Sequence, residues 1–235
     1  LAVEGEVVVT LSIFDLDGTL YTGNIVQGLH RALKASKKNR GWMRWYMLAH
    51  MPLWSLHLVG LLRAETVRAI STRDFAWVLR GLTRSEADAI FAWVADVYVM
   101  PRLRQEVLAR LEADRAKGHR IVLLSGTFEP LLECISERLE AEVALGMRLE
   151  VRDGRYSGRT LPPIPSGRGK AERLRLYLER ADQKVALDAS YAYADSIVDR
   201  PALEMVGHPV AVSPDDALTA LARAQGWESL SAVSD

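Results

Sequence analysis

A doubly wound parallel α/β sheet, with a helical cap inserted after its first strand and a small β-hairpin further on, is the fold class this sequence predicts. Three observations predict it. The apolar run Val7 to Phe14 ends on two carboxylates, Asp15 and Asp17, followed by Gly18. A long stretch of helical pattern then runs from Asn24 to Val99. Beyond Gly118, short β-branched runs alternate with helical ones. A strand, a helical insert and then βαβ units form a parallel core under a cap. The predicted core is residues 1–22 and 100–235, and the predicted cap is residues 23–99.

The elements follow in order. Val7 to Phe14 is short and β-branched, as a strand buried on both faces should be. In the insert, Ile25 to Ser36 reads as a helix. Trp42 to Leu62 is an apolar helix in which Pro52 predicts a break or kink, and Glu65 to Arg80 is the next helix. Thr83-Arg84-Ser85-Glu86 reads as a capping box opening a helix from Arg84 to Val97. Pro101 opens a helix that stops at Lys117-Gly118. His119 to Leu124 is a strand ending at Ser125-Gly126-Thr127, and Pro130 opens a helix to Glu140. Val143 to Val151 and Tyr156 to Thr160 flank Asp153-Gly154, a hairpin turn. Pro162-Pro163-Ile164-Pro165 is a rigid loop, and Gly167 to Lys170 leads into a helix from Ala171 to Arg180. Lys184 to Leu187 is the strand leading to Asp195. Pro209 to Val212 is the last strand, and Asp215 to Gln225 the last helix.

Composition excludes several function classes. Thirty lysines and arginines balance thirty aspartates and glutamates, so no general electrostatic footprint points to nucleic acid. One cysteine, Cys134 in an apolar run, excludes an internal disulfide framework; it predicts a buried structural thiol and a reducing, cytoplasmic setting. Leu1 to Glu6 lacks the basic region and apolar core of a secretory leader. The five histidines show no ligand spacing beyond His50 and His57 within one apolar run. Arg44, His50, Pro52 and His57 interrupt the 42–62 run, which argues against a bilayer span. Basic residues from Arg31 to Arg40, followed by tryptophans, leave peripheral contact of 31–62 with the inner membrane face open beside a buried cap helix.

The polar residues that end strands or start helices carry the chemistry. Asp15, Asp17, Ser125, Lys170, Asp195 and Asp199 all fall at such positions. If their strands are adjacent in a parallel sheet, these positions converge on one crevice beyond the carboxyl ends of the strands. Four carboxylates there require a cation, and hard oxygen donors without histidine or cysteine favour Mg²⁺. Lys170, Ser125 and the backbone N–H groups of Gly126 and Thr127 would supply donors to a phosphoryl group. One aspartate can attack phosphorus, and another can move the proton. Repulsion among the acids favours the protonated form of that second group and the cation opposes it; the sequence leaves the balance open.

Asp15-Leu16-Asp17-Gly18-Thr19-Leu20, Ser125-Gly126-Thr127, Lys170 and Asp195-Ser196-Ile197-Val198-Asp199 resemble, in order, the four motifs of the haloacid dehalogenase superfamily of phosphohydrolases. The hairpin Leu149 to Gly158 and the ending from Gly207 to Trp227 resemble its phosphoserine-phosphatase-like branch. The resemblance implies a Rossmann-like core and a small phosphate ester as substrate. Asp15 would be nucleophile and Mg²⁺ ligand. Asp17 would be general acid and base, offering its backbone carbonyl to the metal. Ser125 and Gly126 would bind phosphate, and Lys170 would neutralise it and hold the nucleophile. Asp195 would bind Mg²⁺, and Asp199 would support the metal's water shell and Lys170. Two positions depart from the branch. Asn24 stands where a glutamate would pair with the amino group of phosphoserine, which speaks against that substrate. Ala194 stands where glycine precedes the metal aspartate, so the loop there must use a negative φ or shift slightly. A lipid-phosphate phosphatase at a membrane, a phosphotransferase, a phospho-aspartyl switch and a non-catalytic adaptor remain as rival readings.

Overall fold

The structure is a computed structural model that describes residues 8–181 and 183–231. Leu1 to Glu6, read above for a leader, and Val7 of the predicted first strand lie outside the described residues.

The apolar run before Asp15 folds as two strands, β1 (Val8–Val9) and β2 (Leu11–Phe14), where one was predicted. The insert holds α1 (Ile25–Ala35), α2 (Arg40–Leu58), α3 (Ala64–Asp74) and α4 (Arg84–Trp93). Then come α5 (Gln105–Ala116), β3 (Arg120–Phe128), α6 (Glu129–Arg138), β4 (Val143–Arg152) and β5 (Arg155–Leu161). The chain closes with α7 (Arg168–Leu178), β6 (Lys184–Val185), β7 (Tyr191–Ala194), α8 (Arg200–Leu203), β8 (His208–Val212), α9 (Asp216–Gln225) and β9 (Glu228–Leu230).

Seven of these strands form one sheet in the order β5-β4-β3-β2-β7-β8-β9, parallel except for the β4–β5 hairpin. All four residues of β2 are buried, as its central place requires. Alternate side chains feed two apolar layers. Phe14, Leu123, Tyr193 and Val210 join the layer that includes α5, α6 and the insert. Ile13, Val122, Ala192 and Ala211 join the layer under α7, α8 and α9. Helices on both faces make the sheet doubly wound. The chain leaves β2 toward β3 on one side and reaches β7 on the other, so a crevice opens at the carboxyl end of β2.

The insert packs into the first layer rather than standing clear of it. Phe75 stacks on Phe128 at 5.3 Å between ring centroids, and Phe91 lies 6.3 Å from the same ring. The Thr83 capping box forms in full: Thr83 Oγ1 accepts from Glu86 N, and the Glu86 carboxylate accepts from Thr83 N. Asp153 and Gly154 both take positive φ, 49° and 74°, as a tight hairpin turn demands.

Several expectations need correction. The first run breaks at Thr10 because β1 pairs with β6 while β2 pairs with β3 and β7. The strand reaching Asp195 is β7, not Lys184 to Leu187, which forms only β6 and a tight turn at Leu187–Ala189. In β7, Tyr191 and Tyr193 serve one layer, and Ala192 and Ala194 the other. β3 does not end at Ser125; it continues to Phe128 across a register shift after Leu124. The helix expected to run to Arg80 ends at Asp74 in a tight turn, Phe75–Leu79, and the one expected from Pro101 begins at Gln105. Pro52 does not interrupt α2; both Pro52 and Leu48, whose carbonyl the missing N–H leaves free, are exposed to solvent. Cys134 is half-buried rather than buried. Trp77 and Trp93 pack against the core, whereas Trp45 and Trp54 are more than half exposed. No helix among the described residues is long and apolar enough to cross a membrane.

Candidate active site

β2 hands the chain to Asp15, whose N–H still bonds the Tyr193 carbonyl at 3.0 Å. The turn that follows needs glycine at position 18. Its φ is +81°, and a Cβ there would lie 2.2 Å from Asp195 Oδ2. The loop after β2 therefore passes directly beside the end of β7. The Thr19 hydroxyl ties the two together, 3.3 Å from Asp15 Oδ2 and 3.4 Å from Asp195 Oδ1.

Lys170 reaches the same point from the first turn of α7. Its Nζ lies 2.6 Å from Asp15 Oδ1 and 2.8 Å from Asp199 Oδ2, with all three side chains buried. Carboxylate oxygens of Asp15, Asp195 and Asp199 lie within 4.8 Å of one another. Burial pushes the Asp15 carboxyl up to about 7 against the pull of Lys170, with Asp199 and Asp195 adding to the rise. Burial likewise raises Asp195 to about 6, and Asp199 reinforces it. Burial works against the Lys170 ammonium, but Asp15 and Asp199 more than compensate and hold it charged. One ammonium among three carboxylates leaves excess negative charge, and this all-oxygen donor set fits a hard divalent cation.

Asp17 is engaged differently. Its carboxylate accepts from the Tyr21 hydroxyl at 2.6 Å and from the Ile25 N–H at 3.2 Å, at the start of α1. Burial raises it to about 6, opposed by the Tyr21 hydrogen bond. Its side chain thus lies outside the three-carboxylate cluster. Only the backbone-carbonyl role implied by the resemblance is open to it as a metal ligand.

All nine residues singled out from sequence, Asp15, Asp17, Asn24, Ser125, Gly126, Thr127, Lys170, Asp195 and Asp199, line one cleft of about 890 Å³. Two of them are committed locally. The Thr127 N–H donates to Ser125 Oγ at 3.2 Å, which removes it from the backbone donors expected for phosphate. Asn24 is the N-cap of α1, its Oδ1 accepting from Val26 N at 2.9 Å. Ala194 sits in β7 without positive φ, so glycine's freedom is not needed there. Sequence reasoning gave no role to the Thr19 bridge, the Tyr21 contact or Arg104, whose Nε donates to Gly18 O at 3.1 Å. Thr19 and Tyr21 lay in or beside the first motif; Arg104 carried no signal. On the insert's side the cleft is lined by Tyr46, Met47, Trp54 and His57 from α2.

The family model described as haloacid dehalogenase-like hydrolase matches residues 13–204. A probable phosphatase of Mycobacterium tuberculosis is 31% identical over 191 residues, covering 73% of this chain and 66% of that protein. The chain thus spans just under two thirds of that relative's length. Phosphoserine phosphatase SerB1 of the same organism is 29% identical over 223 residues, covering 92% and 69%. A Bordetella pertussis protein of unknown function superposes with a TM-score of 0.80 at 24% identity, covering 97% of this chain and all of that one.

Proposed function

The chain belongs to the haloacid dehalogenase-like hydrolases, on their phosphoserine-phosphatase-like branch, and from that premise we propose that it is a Mg²⁺-dependent phosphomonoester hydrolase working through phospho-Asp15. One observation carries this reading: Lys170 bridges Asp15 and Asp199 while buried Thr19 links Asp15 to Asp195, and the three aspartates and Lys170 line one cleft. Residues 1–22 and 100–235 serve as the catalytic core, and residues 23–99 as the cap that chooses the substrate.

Asp15, Asp195 and the Asp17 backbone carbonyl would hold the cation, with Asp199 supporting its surroundings. When bound, Mg²⁺ neutralises the carboxylates and draws charge from the phosphoryl oxygens. Lys170, Ser125 and the Gly126 N–H hold those oxygens. An Asp15 oxygen attacks phosphorus, and the phosphorus–ester bond breaks. Asp17, raised toward neutrality by burial, gives its proton to the departing alkoxide. Asp17 then takes a proton from water, whose oxygen attacks phosphorus and releases inorganic phosphate from Asp15. An alcohol in place of that water would give phosphotransfer.

The substrate is a phosphomonoester other than phosphoserine. Exposed, neutral Asn24 supplies no charge for an ammonium group. The single cysteine supports a cytoplasmic setting. A second reading, peripheral contact of 31–62 with an anionic bilayer, is favoured by exposed Trp45, Leu48, Leu58 and Leu61 beside exposed Arg40 and Arg44. Sedimentation with anionic but not neutral vesicles tests it. The catalytic reading is tested by Asp15→Asn, which should lose Mg²⁺-dependent release of phosphate from p-nitrophenyl phosphate while keeping the wild-type fold by circular dichroism. Retained turnover would reject it.

A further inference from the structure

The half of the cleft facing the cap differs in chemistry from the half holding Lys170. α2 contributes Tyr46, Met47, Trp54 and His57, and Val67 and Phe75 follow. Among the described lining residues the insert places no carboxylate, lysine or arginine. The organic part of a bound ester therefore meets aromatic and aliphatic side chains interspersed with the neutral polar groups of Gln27, Ser71 and Thr72. Among the described lining residues the insert thus offers no ion-pair partner to the ammonium or carboxylate of an amino acid or a sugar acid. At about 890 Å³ the cleft lies near the top of the range of roughly 300–1,000 Å³ for ligand pockets, far more than a phosphate and a short polar alcohol need.

This apolar lining continues out of the cleft. Met47 and Trp54 line it, yet are 59% and 53% exposed. They belong to one stripe of α2, Met47-Met51-Trp54-Leu58, at i, i+4, i+7 and i+11, every member exposed. At 1.5 Å per residue the stripe extends about 16 Å. Scattered exposed apolar residues need no explanation, but a continuous exposed run leading out of a cleft does. Its electrostatic setting is one-sided as well. No acidic residue occurs between Asp17 and Glu65, while Arg31, Lys34, Lys37, Arg40 and Arg44 in that interval are exposed. Arg40 and Arg44 continue the stripe at i−7 and i−3 from Met47, so this face of α2 carries positive charge and no acidic residue. An amphiphile with an anionic head and an alkyl tail matches both features.

We propose that the cleft takes phosphomonoesters of long-chain lipid alcohols, with phosphate at Asp15 and Lys170 and the hydrocarbon chain leaving over Phe75 and Trp54 along the α2 stripe. The proposal deepens the catalytic reading and rests on it. Each methylene moved from water onto this surface is worth up to about fourfold in affinity. Selectivity should therefore climb steadily with chain length until the chain passes Leu58.

The test is hydrolysis of monoalkyl phosphates from methyl to dodecyl, kept monomeric, by the full chain with Mg²⁺, alongside p-nitrophenyl phosphate. Expected is a kcat/KM for dodecyl phosphate at least about 100-fold above that for methyl phosphate. Trp54→Ser and, separately, Met51→Asp, both at exposed positions, should cut that ratio about tenfold. A flat or falling series with p-nitrophenyl phosphate hydrolysed overturns the substrate class and leaves the catalytic reading standing. A rising series that neither variant alters overturns the assignment to the stripe. Failure to hydrolyse any of these esters overturns both readings.

Discussion

Gly18→Ala separates the geometry of the site from the stability of the fold. Gly18 holds φ at +81°, and a methyl group there would sit 2.2 Å from Asp195 Oδ2. Left-handed backbone costs a non-glycine residue about 1–2 kcal/mol. For a chain of this size that lowers the melting temperature by about 2–8 °C. The overlap adds a second effect. Asp195 must withdraw by about 1 Å, and displacements of that size cost about 100-fold in rate. Gly118→Ala is the matched control: the same φ of +81°, with no atom within 4 Å of the added carbon. Both variants should melt lower by similar amounts, and only Gly18→Ala should lose about 100-fold in kcat. The assay is steady-state hydrolysis of p-nitrophenyl phosphate at saturating Mg²⁺, beside thermal denaturation. Equal activities in the two variants would refute the claim that Gly18 exists to let the loop after β2 pass Asp195.

Three further outcomes follow from the same contacts. Lys170→Met leaves Asp15 and Asp199 buried without their shared ammonium and should cost about 3–5 kcal/mol in metal-free denaturant unfolding, with Mg²⁺ recovering part of it. Chelation should abolish hydrolysis, and added Mg²⁺ at about 100 times its Kd should stabilise the wild type by about 2.7 kcal/mol; in calorimetry Asp195→Asn should lose most of that gain. Asp114, fully buried, accepts from Tyr193 at 2.6 Å, Ser12 at 2.9 Å and Lys117 at 3.0 Å. Burial pushes its carboxyl up, but these donors overrule it and hold it below the usual range. Its contribution should be complete well above the unfolded value of about 3.9 and fade as pH falls through the folded value. Wild type should thus lose more stability between pH 6 and about pH 3 than Asp114→Asn, measured by urea unfolding.

The half of the molecule that carries the candidate site was legible because its signals are local. Asp15, Asp17 and Gly18 are consecutive with the strand that delivers them, and Lys170 and Asp199 stand at element boundaries that proline, glycine and serine mark. The parallel, doubly wound class of the core follows from the alternation of strand and helix beyond Gly118. What escaped depends on partners distant in sequence. β1 separates from β2 only because β6 lies beside it, and Tyr191–Ala194 becomes a central strand although half its side chains are alanines. β9 is three residues long and has no period to read. The bulge that carries β3 through Ser125 and Gly126 comes from its pairing with β4. The cap lining was invisible for the same reason. α2 is apolar around most of its circumference, so the sequence does not say that Tyr46 and His50 turn inward while Met51 and Leu58 face solvent.

The most direct test of the account is to trap the covalent intermediate. Wild-type protein is quenched in acid during turnover of a phosphomonoester with Mg²⁺, and the phosphoryl group is located by peptide mass spectrometry. The account predicts a hydroxylamine-labile acyl phosphate on Asp15, absent from Asp15→Asn and, with p-nitrophenyl phosphate, whose leaving group needs no proton, accumulating when Asp17→Asn slows the attack of water. Continued hydrolysis with no adduct, or with the phosphoryl group on a residue other than Asp15, would contradict it.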